Sequence, residues 1–205
     1  MSAQTTSANA EDRDAILVTR PRDHVAVVAI ASQPLGVLRI AVKQRMLAIL
    51  KELDADRRVR AVVLTGSGRT FSVGSDVREF ERDAGWLLSA EKAENAVNDF
   101  IEASRLPVIA AINGHALGGG MVLALACDLR VAHRSARLGV PEVKVGAFAS
   151  GSGTQRLPAL VGRGRALLLL MTGRLVEADE ALRLGLVASV VDGDVVAAAV
   201  DLAAE

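Results

Sequence analysis

Residues 24–31, HVAVVAIA, form a nearly unbroken apolar run. A run of that length, rich in β-branched residues, predicts a strand buried on both faces. SQPLG then breaks it, with Pro34 and Gly36 marking a loop. From Ile40 to Leu53 the period changes. Val42, Met46, Ile49, Leu50 and Leu53 recur at helical spacing and predict an amphipathic helix. Residues 60–65, RAVVLT, predict a second strand, followed by the Gly- and Ser-rich loop GSGRTFSVGSD. Residues 78–105 are charged yet periodic. Phe80, Leu87, Ala90, Val97, Phe100 and Ile101 would anchor one or two helices there, and Pro107 ends the run. PVIAAING predicts a strand entering a glycine-rich turn, and residues 118–126 should open a helix. CDLRVAH predicts a short strand, and SARLGVPEVKVG a strand and loop. Two helices follow over 154–161 and 163–171, split by Gly162, then a short one over 177–184. LVASVV reads as a closing strand, and DVVAAAVDLAAE as the opening of a further helix.

Strands alternating with helices predict an α/β chain with crossover connections. With 205 residues and 51% hydrophobic content, the chain suits a single domain with a sizeable core. Aromatics make up only 2%, so that core must be aliphatic. The polar start, MSAQTTSANAEDRD, has no apolar stretch of a signal peptide. The expectation is a disordered tail over 1–12, a single domain over 13–205 and a cytoplasmic location. Twenty-four basic residues balance 24 acidic ones. No global field therefore draws the chain to nucleic acid or to a membrane. Arg57, Arg58 and Arg60 form the densest basic cluster, read either as a solvated turn or as an anion contact. The lone Cys127 lies beside an apolar run and reads as a buried thiol. No cysteine or histidine spacing suits a metal.

Four segments could carry chemistry. Phe71-Ser72-Val73-Gly74-Ser75-Asp76 follows a strand. Asn113-Gly114-His115-Ala116-Leu117-Gly118-Gly119-Gly120 follows another and precedes a helix. Consecutive glycines let a ligand approach the backbone, and a helix start offers unpaired N–H groups to an anion. The same glycines also fit a tight turn that packs helix on sheet. In Gly139-Val140-Pro141-Glu142, an acid sits among apolar neighbours and could carry a raised pKa. Lys144 would point away from it if the segment is extended. Ser150-Gly151-Ser152-Gly153-Thr154 is a further glycine turn, with Thr154 a plausible helix cap. Of the histidines, only His115 adjoins a glycine loop.

In this order the segments resemble the enoyl-CoA hydratase/isomerase family, the crotonases, from about His24 to Val191. AVVLTGSGRTFSVGSDVREF, LPVIAAINGHALGGGMVLALACDLRVA, SARLGVPEVKVG, GTQRLPALVG and MTGRLVEADEALRLGLVASVV carry the likeness. The resemblance implies a crotonase-like (ClpP/crotonase) α/β fold, a superhelix of ββα units with flanking helices. It implies an oxyanion hole for a thioester carbonyl, made by the backbone N–H groups of Ser75 and Gly119. Glu142 would be a catalytic acid, and His115, Gly118, Met121 and Val122 would shape the acyl pocket. Gly74 and Arg78, with the Arg57–Arg60 cluster, would meet the CoA portion. CoA enters as part of the substrate, so no separate cofactor is implied. The implied partners are acyl-CoA or a carrier-bound acyl thioester, and further copies of the chain in a trimer or hexamer.

The chain departs from the family at informative places. Val122 stands where hydratases of the family carry a second glutamate, and a valine cannot activate water. Ala149-Ser150 replaces a proline-glycine step, and Gly36 an asparagine. Members usually continue into several more helices, so the likeness implies a domain truncated in its C-terminal helical region. The expected reaction is proton transfer through a stabilised enolate, moving a double bond. Hydration with a substitute acid, decarboxylation and idle acyl-thioester binding are the alternatives. Asp76 reads as structural.

Overall fold

The computed structural model describes residues 15–76 and 84–205. The tail expected over 1–12, Phe80 and Arg78 lie outside the described residues. In chain order the elements begin with strands β1 (Ile16–Arg22) and β2 (Val25–Ile30), helix α1 (Ile40–Ala55), and strands β3 (Ala61–Gly66) and β4 (Thr70–Ser72). Helix α2 (Ala84–Ala103), strands β5 (Val108–Ile112) and β6 (His115–Leu117), and helix α3 (Gly119–Ala126) follow. Strands β7 (Leu129–His133) and β8 (Arg137–Gly139) lead to a 3-10 helix over Pro141–Val145. Helices α4 (Gly153–Val161) and α5 (Arg163–Thr172), strand β9 (Val176–Glu177), helix α6 (Ala178–Leu184), strand β10 (Ser189–Val191) and helix α7 (Val195–Leu202) complete the order.

The strands form two sheets. One runs β1-β2-β3-β5-β7-β10 and the other β4-β6-β8-β9. Three successive strand pairs split between them: β3, β5 and β7 enter the larger sheet, and β4, β6 and β8 the smaller. Neighbours pair in parallel except β1 with β2 and β8 with β9. This split of successive strand pairs between two sheets, with helices between them, agrees with the expected α/β arrangement of ββα units.

Alternation along the central strands decides what each face buries. Ala26, Val28, Ile30, Val62 and Leu64 join the main core under α1, α2 and α3. Val25, Val27, Val63, Ile109 and Val131 face the other way, onto Val195, Ala199 and Val200 of α7. Both faces of the larger sheet are thus covered, which is why these strands read as unbroken apolar runs.

The structure corrects the sequence reading in five places. β1 was not expected, because only Ile16 of its residues is buried and no alternation marks it. The loop over 66–76 contains β4, and the glycine turn after Asn113 contains β6. Strands of three residues are too short to show a period. The segment after Gly139 coils into the 3-10 helix, with Pro141 in its first turn, so the extended geometry assumed for Lys144 does not apply. Helix α4 starts at Gly153 behind a left-handed Ser152, which leaves Thr154 inside the helix rather than capping it. Cys127 is buried, and burial pushes its thiol up to about 12.

Candidate active site

Two glycine turns meet at the start of α3. Ser72 ends β4, and its Oγ donates to the Gly36 carbonyl at 2.7 Å and accepts from the Gly74 N–H at 3.1 Å. Gly74 has φ +88, and a Cβ there would stand 2.7 Å from the Gly119 nitrogen. Only glycine permits both that backbone and that approach. Gly118 enters α3 at φ 54, ψ −130, and its N–H donates to the Gly139 carbonyl at 3.0 Å. The Ser75 nitrogen lies 3.6 Å from the position of a Gly119 Cβ, so the two amides are neighbours. Among the described residues neither amide N–H has a backbone acceptor. Two free donors at the positive end of a helix favour an oxygen that gains negative charge.

Two carboxylates flank this turn. Glu142, on the 3-10 helix, places Oε1 3.5 Å from where a Gly118 Cβ would be. Its Oε2 is buried and has no hydrogen-bond partner among the described residues. Burial raises its pKa. Its own backbone N–H works against that shift, and the Glu94 charge adds to it. A half-buried acid with one buried, unpartnered oxygen and a raised pKa suits proton transfer.

Glu94 comes from α2. Its Oε2 accepts from Lys43 Nζ of α1 at 2.9 Å, and the two side chains are 9% and 4% exposed. The same Nζ lies 3.0 Å from Ser75 Oγ. Glu94 Oε1 lies 3.7 Å from the position of a Gly119 Cβ and 2.5 Å from that of a Gly151 Cβ. The turn over Glu94 is held by its Gly151 carbonyl, which accepts from Asn98 Nδ2 at 3.2 Å and Arg156 Nη1 at 2.7 Å.

Sequence reasoning missed both Lys43 and Glu94, although a signal existed. Glu94 keeps helical phase with Val97, Asn98 and Ile101, and Lys43 with Met46 and Leu50. Opposite charges in phase with the apolar stripes of two packed helices announce a buried ion pair.

The structure therefore brings Gly74, Ser75, Gly118, Gly119 and Glu142 together. Met121 and Val122 are fully buried in the core, and Val122 Cγ2 would lie 2.7 Å from a Gly153 Cβ. They pack behind the turn instead of lining open space. His115 is exposed and borders a separate open cleft of about 740 Å³ with Arg69, His133 and Ser135. That cleft does not contain the carboxylates. Arg58 is engaged by Asp56 at 3.0 Å on an exposed turn, which holds the Asp56 carboxyl well below the usual range. Asp76 is buried 3.4 Å from Arg39 Nε, in keeping with a structural role. Among the described residues no helix is long and apolar enough to cross a membrane.

Comparison with known proteins agrees with this architecture. The profile of a family described as enoyl-CoA hydratase/isomerase matches residues 22–205. An enoyl-CoA hydratase of Bacillus anthracis superposes with a TM-score of 0.88 at 36% identity, covering 92% of this chain and 75% of that one. Pseudomonas aeruginosa DspI gives a TM-score of 0.90 at 33% identity, covering 98% and 77%. A peroxisomal bifunctional enzyme of Danio rerio is 42% identical over 179 residues, 87% of this chain. The chain spans 24% of that enzyme's length.

Proposed function

The chain belongs to the enoyl-CoA hydratase/isomerase family, and on that premise we propose that it transfers protons on an enoyl-CoA thioester held at the α3 turn. The thioester oxygen accepts hydrogen bonds from the Ser75 and Gly119 N–H groups. Glu142 removes a proton from the acyl chain, and electrons move onto that oxygen as an enolate. The enolate is stabilised where its charge forms, by dipoles already in place. Glu142 then returns the proton to another carbon, and the double bond moves.

The observation that carries this reading is the buried Oε2 of Glu142, without a hydrogen-bond partner among the described residues, beside the Ser75 and Gly119 amides, which have no backbone acceptor there. Gly74 supports it by letting the two turns approach, and the CoA portion would pass along that side of the turn. The exposed Phe148 and Met171 side chains offer apolar surface for the proposed self-association.

Glu142→Gln tests the assignment. Conversion of a 3-enoyl-CoA into its conjugated 2-enoyl isomer should fall by about 1,000-fold, mostly in kcat. Unchanged turnover would remove Glu142 as the base. Acyl-CoA binding by the wild type without turnover of any isomerisable, hydratable or decarboxylatable substrate would favour an idle binder.

A further inference from the structure

The reading just given uses one carboxylate, and the turn has two. Glu142 and Glu94 approach adjacent residues of it, Gly118 and Gly119, from different elements. A cavity of about 10 Å³ lies between Glu94, Lys43 and Gly119, lined further by Leu38, Met46 and Asn98. That volume is on the order of one water. Val122 places only methyl groups behind the turn.

Addition of water across a carbon–carbon double bond needs two proton handlers. One takes a proton from water as oxygen attacks, and the other delivers a proton to the neighbouring carbon. The handlers work best in opposite protonation states. Here the environments differ in that sense. Glu94 is paired with the Lys43 ammonium, while Glu142 has no cationic partner among the described residues and burial raises its pKa.

We infer that Glu94 is a second catalytic carboxylate of this site, which activates water for addition to a 2-enoyl thioester. The inference rests on the thioester site proposed above. Glu94 accepts a proton from water while the water oxygen bonds to C3. The π electrons pass through C2 and C1 onto the thioester oxygen, between the Ser75 and Gly119 amides. The enolate collapses, and the Glu142 carboxylic acid gives its proton to C2. The product is a 3-hydroxyacyl thioester. Glu94 then releases its proton to solvent, and Glu142 takes one up. Lys43 supplies the countercharge that lets Glu94 stand in the core, and it bonds Ser75 Oγ beside one of the amide donors.

Glu94→Gln alone would leave Lys43 buried without its partner and risks unfolding. The double variant Lys43→Met/Glu94→Gln removes both charges and keeps the bulk. Hydration of 2-enoyl-CoA is measured for the wild type, Glu94→Gln, Glu94→Asp and the double variant, with melting temperature and acyl-CoA affinity in parallel. In Glu94→Gln, kcat should fall by about 100-fold or more with KM within about threefold. Glu94→Asp should recover about tenfold of that loss. The double variant should regain the wild-type melting temperature and remain unable to hydrate. A double variant that hydrates at the wild-type rate would reduce Glu94 to a neutraliser of Lys43 and overturn the inference. A wild type that isomerises 3-enoyl-CoA but adds no water would overturn it too, leaving the thioester site standing. A wild type that does neither while binding acyl-CoA would overturn both.

Discussion

Helix α3 is eight residues long, and the chain treats its two ends differently. At the C-terminal end the buried Arg130 gathers carbonyls. Its Nη1 donates to Cys127 at 2.6 Å and to Ala124 at 3.3 Å, and its Nε donates to Leu186 at 2.7 Å. Burial lowers the guanidinium pKa, and the carbonyls compensate the lost hydration. At the N-terminal end two amides have no backbone acceptor among the described residues, and a buried carboxylate oxygen has no partner. Satisfied polar groups fix the helix at one end. Under the proposed function, the donors left at the other end are the ones that receive the ligand.

The contrast predicts different failures. Gly74→Ala places a Cβ 2.7 Å from the Gly119 nitrogen and should force the two donors apart. Turnover should fall about 100- to 1,000-fold, the scale of one lost oxyanion donor at about 3 kcal/mol. Steady-state kinetics on an enoyl-CoA, beside acyl-CoA binding, would read this. Arg130→Met should act on stability instead. Orphaned carbonyls and lost charge-assisted bonds should cost about 3 kcal/mol, seen in chemical denaturation, with kcat per folded molecule retained. A large kcat loss with unchanged stability would erase the distinction between the two ends.

Smaller effects sharpen it. Glu142 has a folded pKa raised above its unfolded value of 4.5. As pH rises from that value through the folded pKa, the unfolded state loses its proton first, so stability falls across the window. Glu142→Gln should remove that dependence in denaturation curves taken from acid to neutral pH. The acid limb of the kcat/KM profile for isomerisation should likewise lie above 4.5, because the base must be ionised. Cys127 sits at the C-terminal end, its thiol pushed up to about 12. It should resist thiol reagents in the native state, and Cys127→Ala should change stability by only about 1 kcal/mol.

Much of the fold was legible in the chain. HVAVVAIA announced a strand buried on both faces and PVIAAING a strand entering a glycine turn, and α7 supplies the cover over the outer face that a doubly buried strand requires. The consecutive glycines 118–120 were legible as a place of close approach, because they carry no side chain, whereas the approach of Gly74 to Gly119 came from the structure. β1 was not legible, since an exposed edge strand needs no apolar pattern. Neither was the 3-10 helix that carries Glu142 beyond its proline signal.

Sequence by itself determined the periods, the glycines and the presence of an acid after Pro141, because these depend on local backbone sterics and burial. Only the tertiary structure decided that Glu94 and Lys43, 51 residues apart, meet beside Ser75 and Gly119. It also decided that Val122 is sealed in the core and that His115 faces a different cleft. The reason is physical. Charge pairing and accessibility depend on which helix faces pack together, and that packing is set by the whole core rather than by any one segment.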